Sequence, residues 1–147
     1  MVRIKMQRLF SFIRICRPLL RGVDLDSARD SNVIVGGDLN CALDPTLDKR
    51  GDILIPRQHV IKSIESFQNE LNLHDIWRIK NPNTLSYTWS KCSPFIFCRL
   101  DYWLISDNLN DLVTQVHIVA SIKTDQSSII LELEDIEDTA KDLVFGN

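Results

Sequence analysis

Past Asn81-Pro82-Asn83 the hydrophobic periodicity of the chain changes from that of a helix to that of a strand, and this switch limits the possible folds more than any other feature. Before it, Val60, Ile61, Ile64, Phe67 and Leu71 form one stripe, which predicts an amphipathic helix over 57–71. After it, residues 84–90, 95–106, 115–121 and 127–133 read as short strands separated by turn residues. Upstream, Val33-Ile34-Val35-Gly36-Gly37 is a short buried strand ending in a glycine pair, and 41–56 reads as a loop broken by Pro45, Gly51 and Pro56. A helical stripe beside consecutive short strands predicts an α+β class or an α/β sandwich, with mostly antiparallel pairing. The strands are expected in one sheet system with the 57–71 helix packed on it.

A length of 147 residues suits one ordinary domain, and 44% hydrophobic with 25% charged residues excludes a disordered or fibrous chain. No apolar run approaches the roughly 18 residues of a membrane span, so no membrane partner is expected. The net charge of −3 is unevenly spread. Residues 1–21 carry six basic and no acidic side chains, whereas 132–147 carry six acids against Lys141. The middle is mildly acidic, which disfavours a pure binder of phosphate backbones and leaves room for an enzyme that holds a cation with carboxylates.

Three regions follow: a basic amphipathic helix and linker over 1–31, a core over 32–133 and an acidic tail over 134–147. The helix, over 6–20, has Met6, Leu9, Phe10, Ile13, Cys16 and Leu20 on its apolar face. Docking on a sheet is favoured over a targeting or membrane-surface role. The four cysteines form no Cys-x-x-Cys pair, and His59, His74 and His117 lie at no zinc-ligand spacing, so no structural zinc is expected. With no secretory signal, the expected setting is intracellular, nuclear or cytoplasmic.

Three polar spots interrupt the apolar pattern. Gly37-Asp38-Leu39-Asn40 ends the buried strand. Its carboxylate and carboxamide, two residues apart, share one side if the strand continues, an arrangement that can orient a water beside a metal-bound phosphate. An ordinary loop turn fits the same text. In Arg99-Leu100-Asp101-Tyr102-Trp103-Leu104-Ile105, alternation places Leu100, Tyr102 and Leu104 on one face and Arg99, Asp101, Trp103 and Ile105 on the other. Asp101 there needs a partner, either Arg99, a backbone amide or a histidine that it would orient. Thr124-Asp125-Gln126-Ser127-Ser128 precedes the last apolar strand and reads equally as a polar turn.

In this order the three spots resemble the exonuclease–endonuclease–phosphatase superfamily, and within it the endonuclease of LINE-type (non-LTR) retrotransposons. The resemblance extends through Asp44-Pro45-Thr46-Leu47-Asp48, Leu73-His74-Asp75-Ile76-Trp77 and Tyr87-Thr88-Trp89, and covers roughly residues 30–133. It implies a four-layer α/β sandwich and a magnesium-dependent hydrolase that cuts a DNA strand. By the resemblance, Asp38 positions the attacking water, Asn40 helps orient it and Asp101 pairs with a histidine near the scissile phosphate. Asp125 contributes to the metal site, with Asp38 as a second candidate ligand.

Two departures set expectations of their own. The family's Ser/Thr-Asp-His is Thr124-Asp125-Gln126 here, and a glutamine has no titratable proton near neutral pH. The family's upstream half, with a metal-binding glutamate and several strands, has no counterpart in residues 1–32. The chain is therefore expected to be about the C-terminal half of the sandwich, a truncated and inactive relative with apolar surface left uncovered. The alternatives are an active metal-dependent phosphodiesterase that needs a complementing half, and a non-enzymatic binding module. DNA is the expected partner of a functional form, and nothing points to a specific protein partner.

Overall fold

A computed structural model describes residues 2–6, 32–51, 58–120 and 127–134. The strands are β1 (Val2–Met6), β2 (Ile34–Asp38), β3 (Lys49–Gly51), β4 (Leu73–Asp75), β5 (Trp89–Cys92), β6 (Phe95–Cys98), β7 (Asp101–Ser106), β8 (Val113–Val119) and β9 (Ser128–Leu133). The helices are α1 (Gln58–Leu71), α2 (Ile76–Lys80) and a 3-10 turn at Asp107–Leu112. Among the described residues every strand pairing is antiparallel, in three sheets of order β1-β9-β8, β2-β7-β4 and β3-β6-β5.

Strand β7 lies at the centre, and all six of its residues are buried. Its alternation is as the sequence predicts. Tyr102 and Leu104 join Ile61, Ile64 and Leu71 of α1 in one core. Trp103 and Ile105 point the other way, into a second core with Ile129, Leu131 and Leu133 of β9. Helix, middle sheet and outer sheet are thus successive layers, each apolar face buried against the next. At one end of the β2–β7 pair, the Ser106 hydroxyl accepts from Val33 N at 3.0 Å and Ser106 N donates to Val33 O at 3.0 Å, so the ladder closes without an unpaired amide.

Several expectations need correction. The strands form three sheets rather than one, because the run 95–106 breaks at Arg99–Leu100 and its halves enter different sheets. Residues 84–88 are not strand; the extended segment begins at Trp89. The loop 41–56 contains β3, whose short and exposed Lys-Arg-Gly text carries no alternation to read. Strand β4 and helix α2 also went unread, being three and five residues long. Met6, expected to open a helix, closes β1, and the rest of the 6–20 helix lies outside the described residues. So does the acidic tail beyond Glu134. Both faces of β7 are packed, whereas Phe95 and Phe97 are exposed on one face of β6.

Packing on the middle sheet is tight at Gly36, opposite Trp103 in the β2–β7 register. A Cβ built on Gly36 would stand 2.0 Å from Trp103 Cζ3, inside the indole ring. Gly36→Ala must therefore displace a buried tryptophan, and overpacking of this kind costs on the order of 1–3 kcal/mol. The expected outcome is a lower urea midpoint at unchanged slope. An unchanged midpoint would show that the indole does not rest on Gly36.

Candidate active site

The site is built where the chain crosses from β6 in one sheet to β7 in another. A crossing strand leaves its ladder partners behind, so the backbone groups of residues 98–101 need substitutes. Each finds one. Cys98 O accepts from Thr88 N at 3.0 Å, and Arg99 N donates to Asp48 O at 2.8 Å. Leu100 N and Asp101 N both donate to the Thr88 hydroxyl oxygen, at 2.9 and 3.2 Å. Arg99 O accepts from the Tyr102 hydroxyl at 2.8 Å, and Leu100 O accepts from Leu39 N at 2.8 Å.

The crossing also carries a buried charge. Arg99 is 1% exposed, and its guanidinium is gripped from two sides. Nε and Nη2 donate to the two Asp48 oxygens at 2.8 and 2.9 Å, and Nη1 and Nη2 donate to the Asp75 oxygens at 3.1 and 2.5 Å. The ring of Tyr102 lies 4.2 Å from the guanidinium carbon and that of Trp77 5.0 Å. Arg78 adds a second cation to Asp48, while Asp75 caps α2 by accepting from Arg78 N at 3.2 Å. Burial opposes the charge on Arg99, but the hydrogen bonds from Asp48 and Asp75 outweigh it and raise its pKa. Burial, reinforced by the negative charge of Asp48, pushes the Tyr102 phenol well above its ordinary range.

In this network the arginine serves Asp48 and Asp75. Asp101 instead faces β2. Its Cα partner across the ladder is Asp38, and the Leu39–Leu100 hydrogen bond next to them makes this the non-hydrogen-bonded kind of pair. Side chains of such a pair share a face, with Cβ atoms about 4.5–5.5 Å apart. Both carboxylates thus stand on the face that carries Ile34, Gly36, Trp103 and Ile105, where the inner surface between two sheets reaches its end. Asp101 is buried and Asp38 half-buried. Asn40 follows with φ of +50°, and its N–H donates to Asp38 Oδ1 at 2.8 Å. That turn fixes Asp38 and leaves the Asn40 side chain at the exposed rim.

Asp125 and Gln126 lie outside the described residues. The next residue, Ser127, donates its N–H to Thr88 O at 2.7 Å. Of the histidines, His74 sits at the far end of β7, opposite Ile105, and pairs with Asp107 at 2.9 Å. It does not reach the Asp101 end. Among the described residues no three or more His, Cys, Asp or Glu side chains gather as a metal cage. The donor set is two carboxylates, fewer protein oxygens than a closed cation site uses. Asp48, Asp75, Arg78 and Thr88 were missed as members of this architecture. The signal available was the need of a strand arginine for a counter-charge, but nothing in the periodicity selects Asp48 and Asp75 from the other acids.

Residues 12–127 match the Endonuclease/Exonuclease/phosphatase family. Among solved structures, the chain is similar to an AP endonuclease from Archaeoglobus fulgidus at 20% identity and TM-score 0.57, over 80% of this chain and 49% of that one. It is similar to the 3′-5′ exonuclease NExo from Neisseria meningitidis at 20% identity and TM-score 0.56, over 79% and 50%. The AP endonuclease LMAP from Leishmania major matches at 18% identity and TM-score 0.57, over 69% and 35%. The chain thus spans half or less of the length of these structures. No curated protein matches it at a significant level.

Two outcomes test the network. Arg99→Met leaves buried Asp48 and half-buried Asp75 without their main cation, and breaking a buried ion pair from one side costs about 3–5 kcal/mol. Arg99→Lys keeps the charge without the fork and should fall between Met and the native residue in denaturant unfolding. The second outcome concerns alkaline pH. A phenol pKa raised on folding contributes stability that is complete below the unfolded value of about 10 and is lost as pH rises above it. Native protein should lose stability above that pH faster than Tyr102→Phe, measured as urea midpoints from pH 8 to 11. Parallel curves would contradict the burial of an uncharged phenol.

Proposed function

The chain belongs to the Endonuclease/Exonuclease/phosphatase family, and from that premise we propose that it is the C-terminal half of a DNA-cutting phosphodiesterase domain of retrotransposon type, inactive by itself. The observation that carries this reading is the register of Asp38 against Asp101, which brings two residues 63 positions apart onto one face at one end of the sheet. The ordered motifs from Gly37-Asp38-Leu39-Asn40 to Thr124-Asp125-Gln126 support the retrotransposon assignment. The names of the similar structures, two AP endonucleases and an exonuclease, support a nucleic-acid phosphodiester as the bond attacked.

In this reading Asp38 holds and orients the attacking water, with Asn40 beside it at the rim. Asp101 orients the side chain at position 126, and Asp125 is a metal ligand. Enzymes of this family typically depend on a divalent cation, here magnesium, which would stabilise charge on the transferring phosphoryl group. The described residues bring two carboxylates toward it, and the remaining ligands must come from Asp125 and from a complementing half. Gln126 can donate a hydrogen bond to a phosphate oxygen, but it cannot shuttle a proton. Losing a positioned acid–base group costs on the order of 10²–10⁴ in rate.

The test is nicking of supercoiled plasmid at fixed magnesium by four proteins: the chain, its Gln126→His variant, and each of these fused to the N-terminal half of an active relative. Neither unfused protein should nick detectably. The fused Gln126→His protein should exceed the fused native sequence by far more than the substitution yields alone, because groups of one catalytic unit act non-additively. Asp38→Ala should abolish the recovered activity. Robust nicking by the unfused chain that survives or needs Asp38 would overturn the inactive reading. Equal rates for the two fused proteins would remove Gln126 as the defect.

A further inference from the structure

Strand β2 stands at the edge of the middle sheet, and among the described residues β7 is its one strand neighbour. Its backbone groups alternate in direction. Val35 and Gly37 lie opposite Leu104 and Tyr102 in hydrogen-bonded pairs, because the Asp38–Asp101 pair beside them is of the other kind. The N–H and C=O of Ile34 and Gly36 therefore point away from β7, to the open side of the strand. Both faces of β2 are nonetheless covered. Val35 packs on the core that includes α1, Ile34 is 1% exposed in the core shared with β9, and Gly36 lies against the Trp103 indole. A strand with both faces buried and one edge open is a template for a further strand beside it.

The other sheet edges among the described residues carry the features that keep edges from pairing. Strand β4 is three residues long, β3 carries Lys49 and Arg50, β5 carries Lys91, and β1 carries Arg3 and Lys5. Strand β8 has a break in register between Val113 and Gln115. Strand β2 reads Ile-Val-Gly-Gly-Asp, with no proline and no charge before its last residue. We infer that the open edge of β2 is a self-association surface, on which a second copy of this chain sets its own β2 antiparallel about a twofold axis.

The strand suits its own copy. A twofold axis sets identical strands antiparallel, so the outward amides of Ile34 and Gly36 meet outward carbonyls of the same strand in the partner. The uncharged middle of one β2 faces the uncharged middle of the other, and the two Asp38 carboxylates fall at opposite ends of the pair. Like charges are therefore kept apart. Gly36 and Gly37 place no side chain in the way of a close approach. The joined sheet has the order β4-β7-β2-β2-β7-β4, and its outer edges are the three-residue β4 strands. The chain spans 49% and 50% of two of the similar structures, so a second copy supplies about as much chain as those structures have beyond it. The inference needs neither cation nor cleavage, and it stands apart from the proposed function.

The experiment is sedimentation of the whole chain from low to high micromolar concentration, with amide hydrogen exchange at both ends of that range. The expected species has twice the monomer mass and dissociates on dilution. In it the Ile34 and Gly36 amides should exchange about tenfold or more slowly than in the monomer, while Val35 and Gly37, already bonded to β7, stay within about twofold. A mixture of isotope-labelled and unlabelled chain should show contacts between the α-protons of Val35 and Gly37 in one copy and those of β2 in the other. A chain that stays monomeric throughout overturns the inference. So does a dimer in which Ile34 and Gly36 exchange as in the monomer or in which the β2-to-β2 contacts are missing. Growth beyond the dimer also overturns it, because an isologous pair uses up the edge.

Discussion

The structure depends on one guanidinium held inside it. Arg99 is out of water, and a lone buried cation would cost several kcal/mol, so the fold exists only in arrangements that bring carboxylates to it. Asp48 comes from the segment before β3 and Asp75 from the junction of β4 with α2. Meeting this demand places three stretches of chain around the crossing from β6 to β7. The pair is not worth much as net stability, since desolvation consumes most of the attraction. Its effect is selective: a slip of β7 by one residue would swap Arg99 and Tyr102 with their neighbours and put a charge into one of two apolar cores.

The same crossing explains how a site is made from such a small protein. Where a strand passes between sheets, its amides stop facing a ladder and become available to side chains, which is a costly state unless each is met. Thr88, Tyr102 and the Asp48 and Leu39 backbones meet them. The consequence is that β7 begins at Asp101, at a fixed position opposite Asp38, with no freedom to fray.

Much of this was legible in the sequence, and the limits have physical causes. The α1 stripe, the alternation of β7 and the end of β2 at Gly37-Asp38 are periodic or punctuated features, and each lies where the pattern puts it. Elements of three to five residues, such as β3, β4 and α2, are too short to show a period and owe their form to tertiary partners. The break at Arg99–Leu100 was invisible because alternation runs straight through it. A sheet change alters hydrogen-bond partners without altering which side chains point inward. For the site, Asp38 and Asp101 could be singled out as polar groups in apolar strands. Asp48 and Asp75 could not, because each sits in polar local text that reads as a loop or helix start.

The large apolar side chains that the described residues expose are Ile79, Leu85, Phe95, Phe97 and Val119. Phe95 is 70% exposed and Phe97 stands on the same face of β6, against Tyr87 at 5.7 Å between ring centroids. Leu85 and Ile79 lie in the neighbouring stretch of sequence. The middle sheet, by contrast, is covered by α1 on one side and by β9 on the other. The described residues thus close a core around β7. At the end of the inner face the β2–β7 register aligns two carboxylates, Asp38 and Asp101. Arg99, which organises the core, is held by Asp48 and Asp75, while the strand register by itself aligns Asp38 with Asp101.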